Sequence, residues 1–168
     1  THLNGYRLLW DNTSVQVYFK ASRLSNTIGP SEAESFFFER AFKTNPPPNI
    51  DVCNEVLIFI VNREDSLNRL VDWMCESGCH PNVQTINILL SNNDSEAAFT
   101  AAERLIDGMI QVGASPSDEL LLRIISGQLE RSMEPNDSFQ IRAEAYSNLL
   151  SQRPQASPQN RLNLYKIW

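Results

Sequence analysis

The sequence predicts an all-α chain, a solenoid of about four stacked helix-turn-helix hairpins. Three observations carry this. First, Arg69 to Asn82, RLVDWMCESGCHPN, returns as Arg104 to Ser117, RLIDGMIQVGASPS. Arg69/Arg104, Leu70/Leu105, Asp72/Asp107, Met74/Met109, Gly78/Gly113 and Pro81/Pro116 each stand 35 residues apart. A fixed period of roughly 20–50 residues marks a stack of supersecondary units. Second, each copy carries a helical apolar stripe that ends at glycine and then proline. Leu70, Val71 and Met74 precede Gly78 and Pro81; Leu105, Ile106 and Met109 precede Gly113 and Pro116. Glycine takes the left-handed conformation that ends a helix, and proline blocks its continuation. Third, the prolines form a ruler: Pro48 to Pro81 is 33 residues and Pro81 to Pro116 is 35. One hairpin fits each interval, and a lone hairpin cannot bury both faces, so neighbours must stack.

The elements follow in order. Tyr6–Trp10 is apolar and reads as the end of a preceding helix or an N-terminal tail over 1–14. Asp11, Asn12, Thr13 and Ser14 offer N-caps to a helix over about Val15–Leu24. Its partner starts near Ser31, where Ser31 and Glu34 fit a capping box, and stops at Asn45 before Pro46-Pro47-Pro48. The second hairpin pairs Ile50–Val61 with about Asp65–Ser77. Val56–Val61 alone resembles a buried strand, but its place in the repeat decides for helix. The third hairpin pairs Val83–Leu90 with about Ser95–Val112. The fourth pairs Asp118–Arg131, capped by Ser117, with about Ser138–Ser151, capped by Asp137 with Gln140. The hairpins span 15–49, 50–82, 83–117 and 118–152. Residues 153–168 hold a short helix from Ser157-Pro158 that carries Leu162, Leu164, Tyr165 and Trp168, or a tail.

Composition bounds the function. Apolar residues at 42% are enough for a core, and charged residues at 20% without a long polar run oppose disorder. The net charge of −6 opposes nonspecific nucleic-acid binding. The longest apolar run, Val56–Val61, is too short to cross a bilayer. No signal-peptide or basic targeting pattern stands in these residues, and because the sequence opens on Thr1 this says little of compartment. Three cysteines, Cys53, Cys75 and Cys79, are an odd number in helical patterns and suit a reducing compartment. Cys75-x-x-x-Cys79-His80 lacks zinc-site spacing, with only Cys53 and His2 as further ligands, so no metal site is expected. His2 and His80 lie in a tail and a loop, no glycine-rich phosphate loop is present, and no carboxylate pair stands out. The expectation is a protein that is not an enzyme and needs no cofactor.

Several side chains stand out. Arg69 with Asp72 and Arg104 with Asp107 have the i, i+3 spacing of surface ion pairs; a phosphate-facing stripe is the sharper alternative. Phe36, Phe37 and Phe38 cannot all face one side of a helix, so part of this cluster is expected at the surface as a docking point. Trp73, which replaces Gly108 of the other copy, and Trp168 are further docking candidates. Asn12-Thr13-Ser14, Asn93-Asp94-Ser95 and Asn136-Asp137-Ser138 match the glycosylation sequon but read as caps and turns.

The chain resembles the pentatricopeptide repeat family. The residues that carry the likeness are Val83-Gln84-Thr85-Ile86-Asn87, which opens a repeat, and Met109 through Gly113 to Pro116-Ser117, which closes it. Ile50-Asp51-Val52-Cys53-Asn54 and Met74 through Gly78 to Pro81-Asn82 do the same one repeat earlier. The resemblance implies a right-handed α-solenoid of an organellar protein, mitochondrial with the chloroplast as alternative. It further implies that Asn54 with Asn82, and Asn87 with Ser117, read pyrimidine bases of single-stranded RNA. The chain departs from the family pattern at the second position of the first helix, where Gln16, Asp51, Gln84 and Glu119 stand, and at the fifth, where the outer repeats carry Phe19 and Leu122. The preferred expectation is therefore a scaffold in a mitochondrial ribonucleoprotein, such as the mitochondrial ribosome, that contacts protein and RNA. The alternative is a sequence-selective single-stranded RNA-binding protein in organellar RNA processing or translation.

Overall fold

The computed structural model describes residues 10–39, 46–91, 95–131 and 138–153. Among them are eight α-helices and no strand. Most of the stub expected over Tyr6–Trp10, the Asn45 stop, the Asp137 cap and the C-terminal helix with Trp168 lie outside the described residues.

Local chemistry sets the helix ends. α1 (Asn12–Ser25) is capped by the Asp11 carboxylate, which accepts from the Ser14 N–H at 2.7 Å. That bond holds the Asp11 carboxyl below its usual range. α1 stops at Asn26, which sits in the left-handed region at φ 51°. α2 (Pro30–Glu39) begins at proline, whose fixed φ suits a first turn. The expected Ser31–Glu34 box gives way to a different cap: the Glu32 carboxylate accepts from the Gly29 N–H at 3.1 Å, and Glu34 turns to the next hairpin. α3 (Ile50–Ile60) is capped by Asn49. α4 (Glu64–Ser77) ends at Gly78, φ 68°, and Gly113 after the sixth helix has φ 76°. α5 (Val83–Leu90) starts from a reciprocal box between Asn82 and Thr85. α6 (Glu96–Gln111) is capped by Ser95, and α7 (Asp118–Arg131) by the Ser117 hydroxyl, which accepts from the Leu120 N–H at 3.2 Å. α8 is Ser138–Ser151.

α3 packs against α1, α2, α4 and α5. That accounts for Val56–Val61, because a helix covered on most sides reads as a continuous apolar run. Val52, Cys53, Val56, Leu57 and Ile60 are all buried. α1 packs on α3, α3 on α5 and α5 on α7, while α4 packs on α6 and α7 on α8. Phe19, Phe37, Leu67, Leu70, Ile86 and Ile106 are fully buried between these helices, each contributing on the order of 1.5–3 kcal/mol. The exchange of Trp73 for Gly108 has a steric reason: a Cβ at Gly108 would stand 3.1 Å from the Cys75 sulfur, so α4 approaches α6 where the second copy has no side chain.

Candidate functional site

The expected reading residues of the second hairpin converge at the α3–α5 junction, on one another. Asn54 is 1% exposed. Its amide nitrogen donates to Asn82 Oδ1 at 3.2 Å, and its Oδ1 accepts from the Thr85 hydroxyl at 2.7 Å. Asn82 Oδ1 also accepts from the Thr85 N–H at 3.0 Å, and the Thr85 hydroxyl oxygen accepts from the Asn82 N–H at 3.1 Å. Thr85 is fully buried. The polar edge of Asn54 is thus consumed by the next hairpin, and a base could reach it only after these bonds open.

Asn87 and Ser117 serve separate bonds. Asn87 is exposed, and its Oδ1 accepts from Arg123 Nε on α7 at 2.8 Å. Ser117 caps α7.

Arg69 and Arg104 do not make the i, i+3 pairs that their spacing suggests. Arg69 stands 3.9 Å from the Glu34 carboxylate, with its guanidinium 3.8 Å over the Phe38 ring. Arg104 pairs with Asp72, one copy earlier, and donates to Asn68 at 3.0 Å. Asp107 instead accepts from the Tyr146 hydroxyl at 2.7 Å. The partners Arg104–Asp72, Arg123–Asn87 and Tyr146–Asp107 are 32, 36 and 39 residues apart in sequence, near the repeat period. Local spacing misled here because these long side chains reach the neighbouring hairpin, where a partner stands across a packed helix pair.

The aromatic cluster divides. Phe37 is fully buried and meets Trp73 edge-to-face at 5.7 Å between centroids. Phe36 is half-buried, stacked on Tyr18 at 4.3 Å and edge-on to Trp10 at 5.1 Å. Phe38 is half-buried beneath Arg69. Phe36, Phe38 and Trp73 therefore offer partial faces, whereas Phe37 belongs to the core. A depression of about 450 Å³ is bordered by Phe38, Asp65, Asn68, Arg69, Asp72, Trp73 and Glu76. A second, of about 510 Å³, is bordered by Trp10, Tyr18, Ser31, Glu32, Ser35, Phe36 and Glu39.

Two buried carboxylates have no counterpart among the expected residues. Glu55 on α3 is 3% exposed and faces Lys20 at 3.7 Å and Arg23 at 3.4 Å on α1. Glu103 on α6 is 7% exposed, accepts from the Gln128 amide at 2.5 Å and pairs with Arg142 of α8. Burial pushes the Glu103 carboxyl up, while Arg142 pulls it back. Burial, and then the bond to Asp107, pushes the Tyr146 hydroxyl up. Neither carboxylate is among the residues singled out from the sequence: Glu103 adjoins Arg104, whereas Glu55 directly precedes the apolar run Val56–Val61, a signal of burial that was there to be read.

Among the described residues no helix is long and apolar enough to cross a membrane, and no group of three or more His, Cys, Asp and Glu side chains gathers as metal ligands. Compared with protein-family models, curated proteins and solved structures, the chain shows no match.

Proposed function

We propose that this chain is a non-enzymatic helical-repeat scaffold, a right-handed α-solenoid of the pentatricopeptide kind, held in a mitochondrial ribonucleoprotein. The observation that carries the reading is the use of Asn54, Asn82 and Thr85. Their polar atoms join one hairpin to the next, where a base reader would keep them open to solvent. What the surface offers instead is the rim around Phe36, Phe38 and Trp73, half-apolar and flanked by charge, which suits a protein partner. The 35-residue recurrence and the row of packing from α1 through α3 and α5 to α7 support a solenoid.

Affinity purification of the tagged protein from isolated mitochondria, with and without nuclease and read by mass spectrometry, tests this. The scaffold reading expects ribosomal or other ribonucleoprotein partners that survive nuclease. Loss of every partner after nuclease, with a pyrimidine-rich fragment recovered by crosslinking, would replace it with the single-stranded RNA reader. A protein that copurifies only from chloroplasts would move the compartment and leave the scaffold intact.

A further inference from the structure

Cys53 and Cys79 lie 26 residues apart in sequence, yet their sulfurs are 3.8 Å apart. Cys53 sits on α3 and is 1% exposed. Cys79 follows the helix-ending Gly78, is half-buried, and has its backbone N–H bonded to the Met74 carbonyl at 2.9 Å. That bond ties the turn to the end of α4, and the packing of α4 on α3 brings the sulfur beside Cys53. The remaining thiol, Cys75, is exposed on α4.

We propose that Cys53 and Cys79 form a reversible intrachain disulfide that staples the α4–α5 turn to α3. Closing the sulfurs to the covalent distance of about 2.05 Å takes a movement of about 2 Å, within reach of side-chain rotation and a small shift of the turn. The two thiols have different parts. The hydrogen bond between them lowers the Cys79 thiol and raises that of Cys53, so the thiolate falls on the more accessible sulfur. The oxidant is a small disulfide of the glutathione class. The Cys79 thiolate attacks one of its sulfurs and expels a thiolate, leaving a mixed disulfide on Cys79. Cys53 then loses its proton to that departing thiolate and attacks the Cys79 sulfur. The second small thiolate leaves and takes up a proton from solvent. Two protein thiols are oxidised by two electrons, and one small disulfide becomes two thiols. Cys53 precedes Asn54, and Cys79 stands three residues before Asn82, so the staple closes beside the bonds that join the second hairpin to the third.

Cys75→Ser, at an exposed position, isolates the pair. The folded variant is treated with glutathione disulfide and read by intact mass, peptide mapping and thermal unfolding. The expected product has lost two hydrogens, carries no glutathione, yields a joined Cys53–Cys79 peptide, and melts higher by roughly 5 °C or more until a reductant reverses it. Adding Cys53→Ser should stop the reaction at a glutathione adduct on Cys79. Adding Cys79→Ser should leave Cys53 unmodified in the folded protein. A stable adduct on Cys79 while Cys53 is present, or two free thiols throughout, would overturn the proposal. Peptide mapping of the unaltered protein after the same treatment gives the same decision without relying on any variant.

Discussion

Between α3 and α5 the copies meet through buried neutral groups; between α4 and α6 they meet through half-exposed charges. Asn54, Asn82 and Thr85 form a closed set at the first junction, with Asn54 and Thr85 out of water. Arg104 and Asp72 form the second, with side chains 40% and 56% exposed. The α6–α8 contact is intermediate: Glu103 is buried, but its partner Arg142 is half in solvent. A buried neutral bond costs little to desolvate and much to leave half-made, so it fixes one register of one hairpin on the next. An exposed ion pair is attractive at many geometries and is screened by salt, so it adds charge complementarity with little specificity. The polar contacts that fix the register of the second hairpin on the third therefore lie between α3 and the start of α5.

Truncation should rank the junctions in that order. Asn54→Ala should cost the most, about 2–3 kcal/mol in urea unfolding. It opens a small cavity and removes the acceptor of the Thr85 hydroxyl and the donor to Asn82. A loss below about 0.5 kcal/mol would erase the distinction between the rows. Glu103→Ala should cost about 1–2 kcal/mol, because it leaves the buried Gln128 amide without its acceptor while Arg142 can turn to water.

Glu103→Gln sharpens the intermediate case through pH. Burial raises the folded carboxyl above its unfolded value. The stability this group contributes is thus fully present below the unfolded value of about 4.3 and is lost as pH rises through the folded value. The unaltered protein should weaken relative to Glu103→Gln between acid and neutral pH, a smaller effect than that of Glu103→Ala. A difference between the two that stays flat with pH would mean that Arg142 fully offsets the burial. The smallest effect belongs to Arg104→Ala: below about 1 kcal/mol at low salt, and near zero at 1 M salt. A larger loss that survives salt would place Arg104 with the buried set.

Much of the helical pattern was legible from residue chemistry. Val83–Leu90, Asp118–Arg131 and Ser138–Ser151 have the expected bounds, Gly78 and Gly113 take the left-handed conformation, and Ser117 caps α7. Each of these depends on residues within a turn or two. The partners of Arg69, Arg104 and Asp107 were not legible, because i, i+3 spacing is a local rule and these side chains answer to a hairpin one repeat away. Burial of Glu103 was hidden for the same reason, whereas that of Glu55 was signalled by the apolar run that follows it. Asn54 shows the limit most clearly. Its position in the repeat, read through a family pattern, made it a candidate reader, while the hydrogen bonds that occupy it come from Asn82 and Thr85 across the junction.

A double-mutant cycle between Asn54→Ala and Thr85→Val tests the central claim most directly, because it isolates the Asn54–Thr85 bond, the shorter of the two that Asn54 makes across the junction. A coupling energy of about 1 kcal/mol or more is predicted for a 2.7 Å bond between two buried groups. Additivity within about 0.3–0.5 kcal/mol would contradict it, and would mean that Asn54 is not what fixes one hairpin upon the next.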